Sequence, residues 1–583
     1  MTTNFNFQNE NKFDAIVIGS GMSGGIAAKE LSQSGLKTLV LERGRDVKHI
    51  KDYPTMNKAP WELPYADQLT ARERKDYDKQ LRTGYTVKQS TKHWWVKDTD
   101  QPYHEVKGDF DWIRGYHVGG KSLLWGRHVY RWSDLDFEAN LKEGIGIDWP
   151  IRYKDIEKWY DYIETYIGIC GRKEGLSQLP DGKFLPPFEL NCVEKDFRKN
   201  LKEKYNDRIL TSGRLANITA NENNFNGRGK CQSRNLCIRG CPFGGYYSSN
   251  SGSLPDAMNS GNMTLRPYSI VHSIIYDETK RKAIGVLVRD SETLEEIEYF
   301  SKIIFLCAST INSTSIMLNS KSKRFPNGFG NDSDELGHNI MDHHFLVGAR
   351  AKIDGYEDRY YTKGRPSGTY LPRFRNVGKN KMDYLRGFGY QGGASRGNWS
   401  SASEAYLTGE DLIKKAVKPG QWTMNLLGFG EVLPYRENKM YLNYSIVDKW
   451  GLPTVNFETE IKENEKLMRK DMGDSAAEML EECGFKDVQK YDNRYALGLG
   501  IHEMGTARMG KDPKNSVLNK WNQVHACKNV FVTDGSCMTS SSCVNPSITY
   551  MALTARAANY AIKLNPNLEE SYNNLGNAQK NGG

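Results

Sequence analysis

The spacing of apolar and polar residues changes several times along this chain, and each change predicts a different element. Residues 13–18 (FDAIVI) form a nearly continuous apolar run, the pattern of a strand buried on both faces. Residues 25–34 then carry helical spacing, and 37–41 are a second apolar run ending at Glu42. Strand, helix and strand within about 30 residues predict a βαβ unit with parallel strands. Residues 45–110 are polar, aromatic-rich and irregular, and 151–169 read as a helix after the Trp149-Pro150 break. A second α/β-like stretch spans 208–340 and ends in a buried strand at 302–308. From Asp342 to about 495 the alternation becomes two-residue, as in 422–431 and 440–447, which predicts an antiparallel sheet. Residues 461–483 read as one long amphipathic helix. The chain then returns to glycine turns, a strand at 530–533 and a helix from Pro546.

These elements divide the chain into a discontinuous α/β unit (1–341 and 496–563), an antiparallel-sheet unit (342–495) and a polar, Asn-rich tail (564–583). A length of 583 residues exceeds what one core holds, so more than one lobe is expected. The net charge of +9 comes from 80 basic and 71 acidic residues spread without blocks of like sign, which argues against a nucleic-acid groove. No apolar run approaches the roughly 18 residues of a membrane span. Residues 1–13 lack the basic start and apolar stretch of a secretory signal.

Candidate chemistry begins at the turn after the first strand, Gly19-Ser20-Gly21-Met22-Ser23-Gly24. Gly19 permits the tight turn, Gly21 lets the backbone approach a pyrophosphate, and Gly24 lets helix and strand pack closely. The helix N-terminus then faces the phosphates. Glu42 lies 23 residues after Gly19, where a carboxylate accepts from ribose hydroxyls, and Arg43 follows it. Strand, turn, helix, strand and acid in this order predict a Rossmann-like dinucleotide site comprising Gly19, Gly21, Met22, Ser23, Gly24, Glu42 and Arg43. The motif alone does not separate FAD from NAD.

Other segments carry a family resemblance. Ile501-His502-Glu503-Met504-Gly505-Thr506-Ala507-Arg508-Met509-Gly510, Asn529-Val530-Phe531-Val532-Thr533-Asp534-Gly535-Ser536 and Val544-Asn545-Pro546-Ser547, taken with the N-terminal loop, resemble the glucose–methanol–choline (GMC) oxidoreductases. Val118-Gly119-Gly120-Lys121-Ser122, Asp148-Trp149-Pro150 and the segment Leu336-Gly337-His338-Asn339-Ile340-Met341-Asp342-His343 extend the likeness over nearly the whole chain. The resemblance implies an α/β fold with an FAD-binding domain interrupted by the antiparallel sheet. It also implies that Gly119, Gly120, Ser122, Asp534, Gly535, Asn545 and Pro546 belong to the cofactor site. The family's catalytic pair is a His and, about 43 residues later, a His or Asn; His502 and Asn545 stand 43 residues apart. An imidazole near neutral pKa suits removal of a hydroxyl proton, and an amide suits orientation of the oxygen while hydride leaves for the flavin. Asn545 before Pro546 also suits a helix start. His338, His343 and His344 read as structural. Some relatives tether FAD through a His where this chain has Leu124, so FAD is expected to bind non-covalently.

Ten cysteines do not make a disulfide scaffold in a chain this long, but Cys231, Cys237 and Cys241 cluster in a Gly- and Arg-rich loop at about 228–246. Three close thiolates ending in Cys-Pro suit an iron–sulfur cluster. The spacing is similar to that in the catalytic subunits of bacterial FAD-dependent sugar dehydrogenases, which implies a [3Fe-4S] cluster and one-electron transfer to a redox partner. A loop with one disulfide or with reduced structural thiols is the alternative. The same resemblance implies a sugar or glycoside substrate, such as a glucoside oxidised at C3. Tyr361, Tyr370, Tyr390, Trp399 and Trp422 are candidates to stack on it, or to fill the sheet core instead. It further implies a small subunit carrying an export signal, a cytochrome-type acceptor and a periplasmic location, although a polar N-terminus fits the cytoplasm equally. A cluster-free oxidase forming hydrogen peroxide and a lyase on the FAD scaffold are the competing readings.

Overall fold

The computed structural model describes residues 11–220, 225–359, 365–397, 407–417 and 420–564. Tyr361, Trp399 and nearly all of the C-terminal tail lie outside the described residues.

The first strand, Lys12–Ile18, is the hub of an eight-stranded sheet. It pairs in parallel with Thr38–Leu41 on one side and Glu296–Leu306 on the other. Met263–Arg266 and Cys527–Val532 extend the parallel array outward, so residues from both ends of the chain meet in one sheet. The strands of the 208–340 stretch from Met263 onward therefore form no second sheet: they join the first. Parallel pairing needs both faces covered, and Ala15, Ile16 and Val17 are wholly buried. Helix Met22–Gln33 packs against helix Ser547–Lys563, which also contacts Tyr153–Ile167. The amide-rich start of Met22–Gln33 thus lies at the carboxyl end of the central strand, where open α/β sheets bind ligands.

The six-stranded antiparallel sheet runs Lys486–Asp492, Val347–Ile353, Trp422–Gly430, Phe388–Arg396, Thr369–Leu371 and Thr211–Ser212. Its last strand is borrowed from the N-terminal half. Helix Glu463–Glu482 covers one face, burying Met468, Met472, Ala476 and Leu480 against it. Strand alternation then decides which side chains meet the helix and which meet the opposite face. Tyr390, Met424 and Leu426 point to the helix side, and Tyr390 donates to the Met472 carbonyl at 2.7 Å. Their neighbours Gln391, Leu427 and Phe429 line the cavity described below. Residues 440–447, which the alternation pattern assigns to this sheet, belong elsewhere. Lys439–Val447 pairs antiparallel with Pro453–Glu458, and that strand pairs in parallel with Tyr103–Lys107, making a separate three-stranded sheet. Phe110 and Phe457 stack at 3.9 Å beneath it. Among the described residues, no helix is long and apolar enough to cross a membrane.

Candidate active site

A cavity of about 550 Å³ runs from the Gly19 turn to the antiparallel sheet. Gly19, Gly21, Met22, Ser23, Glu42, Arg43, Gly120, Ser122, Asp534, Gly535, His502 and Asn545 all line it, although they come from distant parts of the sequence. Gly24, Gly119 and Pro546 stand behind the wall. A Cβ on Gly24 would sit 1.8 Å from the Gly19 carbonyl oxygen, so its glycine is required for strand–helix packing. Gly119 has a φ of +86°, and a Cβ there would meet Asn250 Oδ1 at 1.6 Å. Pro546 ends the loop and begins helix Ser547–Lys563.

The dinucleotide end is knitted together by Ser20. Its hydroxyl donates to Glu42 Oε2 at 2.6 Å and accepts the Gly119 amide at 2.9 Å. Glu42 Oε1 takes the Gly44 amide at 2.9 Å, and burial raises the carboxyl above its usual range. At the other phosphate-side wall, the Asp534 carboxylate accepts from Ser313 and from the Ser536 hydroxyl and amide. Burial again raises its pKa.

The arrangement fits FAD on three counts. Helix Met22–Gln33 starts at Gly21 without a side-chain cap, leaving its first amides to a phosphate. A Cβ on Gly21 would meet no protein atom closer than 3.9 Å, so the space beside it is cradle rather than core. The Arg43 guanidinium lies between the rings of Tyr116 (4.3 Å) and Trp450 (4.9 Å) and faces Asp448 at 3.6 Å, yet its Nε and Nη2 have no hydrogen-bond partner among the described residues. Leu124 lines the cavity with an alkyl side chain, which cannot bond covalently to a flavin.

At the opposite end, His502 Nε2 lies 3.4 Å from Asn545 Nδ2. The His502 backbone amide donates to Asp342 Oδ1 at 3.0 Å, and the Gly500 amide donates to Asp342 Oδ2 at 2.8 Å, so one carboxylate shapes the turn that presents the imidazole. Burial, reinforced by Glu503, pushes Asp342 up to about 7. His502 is held well below the usual imidazole range by burial and then by His343, leaving it neutral with a lone pair to offer. Gln391 Nε2 donates to Asn545 Oδ1 at 2.6 Å, which turns the Asn545 amide nitrogen towards His502. Lys121 Nζ pairs with Glu503 Oε2 at 3.0 Å on the same wall. A hydroxyl entering between His502 and Asn545 meets an acceptor and a donor at once, the geometry for deprotonating an alcohol.

Other residues fall differently from the sequence reading. Tyr370, Tyr390 and Trp422 are core side chains: Tyr390 and Trp422 face the helix that covers the sheet, and Tyr370, opposite Gln391, is buried by stacking on Tyr130 at 4.0 Å. The aromatic surface of the cavity includes instead Tyr85, Trp95, Phe345 and Phe429. His344 is buried against Tyr495 and His338 bonds the Arg436 carbonyl, both structural, whereas His343 touches His502 directly. His343, which ends the Leu336–His343 segment and reads as structural from sequence, is instead part of the site, and Gln391 is marked by no motif: only the two-residue alternation around Tyr390 points it inward.

Cys231, Cys237 and Cys241 are free thiols, none fully buried. They are close enough for thiolate charge on Cys237 and Cys241 to raise the Cys231 pKa, after burial. Even so, among the described residues no three His, Cys, Asp or Glu side chains form a group able to hold a metal ion. Local bonds hold the sulfurs as they are: the Cys231 amide donates to the Ile218 carbonyl, Cys241 Sγ accepts from the Gly245 amide at 3.4 Å, and Cys237 begins a single helical turn. The predicted metal site is therefore not formed in this structure.

Comparison with known proteins agrees with the cavity. Two family models, both described as GMC oxidoreductase, match residues 13–345 and 434–554. The 2-methyl-1,2-propanediol dehydrogenase of Mycolicibacterium austroafricanum is 28% identical over 94% of each chain. The fructose dehydrogenase large subunit of Gluconobacter japonicus is 24% identical over 94% of this chain and 97% of its own. Among solved structures, a variant of Aspergillus oryzae formate oxidase superposes with a TM-score of 0.60 at 16% identity, covering 96% of this chain and 99% of the other, a likeness of fold.

Proposed function

The chain belongs to the GMC oxidoreductase family and is an FAD-dependent enzyme acting on CH–OH groups; from that premise we propose that it oxidises a sugar or glycoside, at the C3 hydroxyl of a glucoside, to the ketone. The observation that carries this reading is the His502–Asn545 pair at the end of a cavity whose other end is built for a dinucleotide. FAD, when bound, supplies the acceptor for the hydride from the alcohol carbon. His502 Nε2 takes the hydroxyl proton, and the O–H bonding electrons become the second C=O bond. Asn545 Nδ2 donates to the alcohol oxygen and holds it beside His502. Tyr85, Trp95, Phe345 and Phe429 offer the apolar faces on which a sugar ring packs.

Anaerobic mixing of the FAD-loaded protein with methyl glucosides, D-glucose, D-fructose and 2-methyl-1,2-propanediol tests this directly. Bleaching of the flavin by a glucoside, with a 3-keto product, is expected. Bleaching by the diol alone would overturn the sugar assignment, and conversion without bleaching would indicate a lyase. Stoichiometric peroxide under air would favour the oxidase reading.

A second proposal concerns electron exit. The Tyr246 hydroxyl donates to the Leu123 carbonyl at 2.8 Å and to the Cys237 carbonyl at 3.2 Å, which ties the cysteine loop to the turn carrying Gly120 and Ser122. This supports reading the loop as the seat of a [3Fe-4S] cluster, its thiols drawn together on loading, that feeds a cytochrome-type partner. A small export subunit and a periplasmic setting belong to the same proposal. Iron analysis and EPR of the purified protein are expected to reveal the cluster. Cys237→Ser is expected to slow one-electron acceptors while sparing substrate-driven flavin reduction. An iron-free wild type, or unchanged acceptor kinetics, would remove this reading.

A further inference from the structure

We propose that His343 is a positioning residue that fixes the tautomer of His502, keeping the Nε2 lone pair aimed at the substrate hydroxyl. This deepens the reading of His502 as base and rests on it.

The assignment follows from a chain of contacts with one fixed end. His343 Nε2 lies 3.0 Å from the Ser541 carbonyl oxygen, and His343 Nδ1 lies 2.9 Å from His502 Nδ1. A carbonyl oxygen only accepts, so the hydrogen of this bond belongs to His343 Nε2. His343 is wholly buried and neutral, pushed down to about 4 by that burial, so it has no second ring hydrogen and its Nδ1 is bare. The contact to His502 then needs its hydrogen on His502 Nδ1, which leaves His502 Nε2 bare. Asn545 agrees independently. Gln391 holds its carbonyl oxygen, so its amide nitrogen faces His502 Nε2 and needs an acceptor there. Five groups, Ser541, His343, His502, Asn545 and Gln391, thus have one consistent assignment of hydrogens.

The fixed end is itself well held. In the loop before Asn545, Ser540 Oγ accepts from Trp149 at 2.7 Å, Ser541 Oγ donates to the Val432 carbonyl at 3.0 Å, and Ser542 Oγ donates to Asp136 at 2.7 Å. The Ser541 carbonyl is therefore a rigid reference. When His502 accepts the substrate proton, its Nδ1 hydrogen still points at the His343 lone pair. The imidazolium keeps a partner in a site where an unpaired charge would be costly. His343 need not change protonation, and no proton passes through it.

Two substitutions separate this role from simple packing. An Asn amide oxygen reaches the position of His Nδ1, whereas a Gln amide reaches that of Nε2. His343→Asn is expected to keep the limiting rate of anaerobic flavin reduction within about threefold of wild type. His343→Gln and His343→Leu are expected to lower it about 10- to 100-fold, with half-saturating substrate little changed, as loss of a ligand- or base-orienting partner does. The substrate is whichever of the sugars and diols named above reduces the wild-type flavin fastest. If His343 served only to hold the Ser541 loop, Gln would restore the rate and Asn would not, and that outcome overturns the proposal. Nitrogen-15 NMR of histidine-labelled wild-type protein gives a readout without turnover, with His502 identified by its loss in His502→Gln. A bare Nε2 and protonated Nδ1 are expected, and the reverse tautomer would refute the assignment even if every His343 variant failed to fold. Normal flavin reduction in His502→Gln would instead defeat the base reading, while the spectrum still decides the tautomer.

Discussion

His502→Gln is expected to lower the rate of flavin reduction by about 10²- to 10⁴-fold, the usual contribution of a positioned general base, while the protein keeps its FAD. The two halves of this expectation rest on different parts of the cavity. Loss of rate follows because, among the described residues, the other side chain hydrogen-bonded to Asn545 is Gln391, an amide already donating to it. Retention of FAD follows because Gly21, Glu42, Arg43 and Asp534 stand at the dinucleotide end and make no contact with the imidazole. The His502 backbone amide remains bonded to Asp342 whatever side chain it carries, so the turn should survive. Stopped-flow reduction and the flavin-to-protein absorbance ratio measure the two halves separately. A near-normal rate would mean that the hydroxyl proton leaves by another route; a flavin-free protein would mean that His502 serves the fold.

The parts of this molecule that could be read from its sequence are those governed by local rules. The opening βαβ unit is legible because residues 13–18 are apolar throughout, as a doubly covered parallel strand must be, and because the glycines fall at one tight turn. The helix expected at 461–483 is observed as Glu463–Glu482 because its apolar spacing matches the sheet it covers. Contacts decided by distant pairing were not legible. Tyr103–Lys107 finds its partner in Pro453–Glu458 some 350 residues away, which removes Lys439–Val447 from the larger sheet. Tyr370, Tyr390 and Trp422 carry the right chemistry for a sugar site, but helix Glu463–Glu482 covers Tyr390 and Trp422, and Tyr370 is stacked on Tyr130, which is 240 residues away. His343 looked like an ordinary buried histidine since its neighbour His502 is 159 residues away. The cysteine loop shows the limit of motif spacing. Spacing brings three thiols together in sequence, but their arrangement in space also depends on backbone bonds such as those to Ile218 and Gly245.

Gly21→Val and Gly24→Val are expected to fail in opposite ways, although both glycines belong to one six-residue turn. At Gly21 an added Cβ meets no protein atom closer than 3.9 Å, and the φ of −73° is ordinary for any residue. The variant should fold and melt near the temperature of wild-type apoprotein. Its isopropyl group would occupy the space where the backbone must approach a pyrophosphate, so FAD affinity should fall by at least about 100-fold, since a blocked approach costs several of the 1.4 kcal/mol steps that each make a factor of ten. At Gly24 the new Cβ would lie 1.8 Å from the Gly19 carbonyl oxygen, inside the contact between helix Met22–Gln33 and strand Lys12–Ile18. Backbone must move there, and overpacking of that kind costs about 1–3 kcal/mol or more. That variant should lose melting temperature with or without FAD. Thermal unfolding of both proteins as apo and FAD-loaded forms distinguishes the cases: FAD should stabilise Gly24→Val if it folds, and leave Gly21→Val unmoved. If Gly21→Val bound FAD normally, the pyrophosphate would have to lie elsewhere in the cavity, and the dinucleotide assignment of this turn would fall with it.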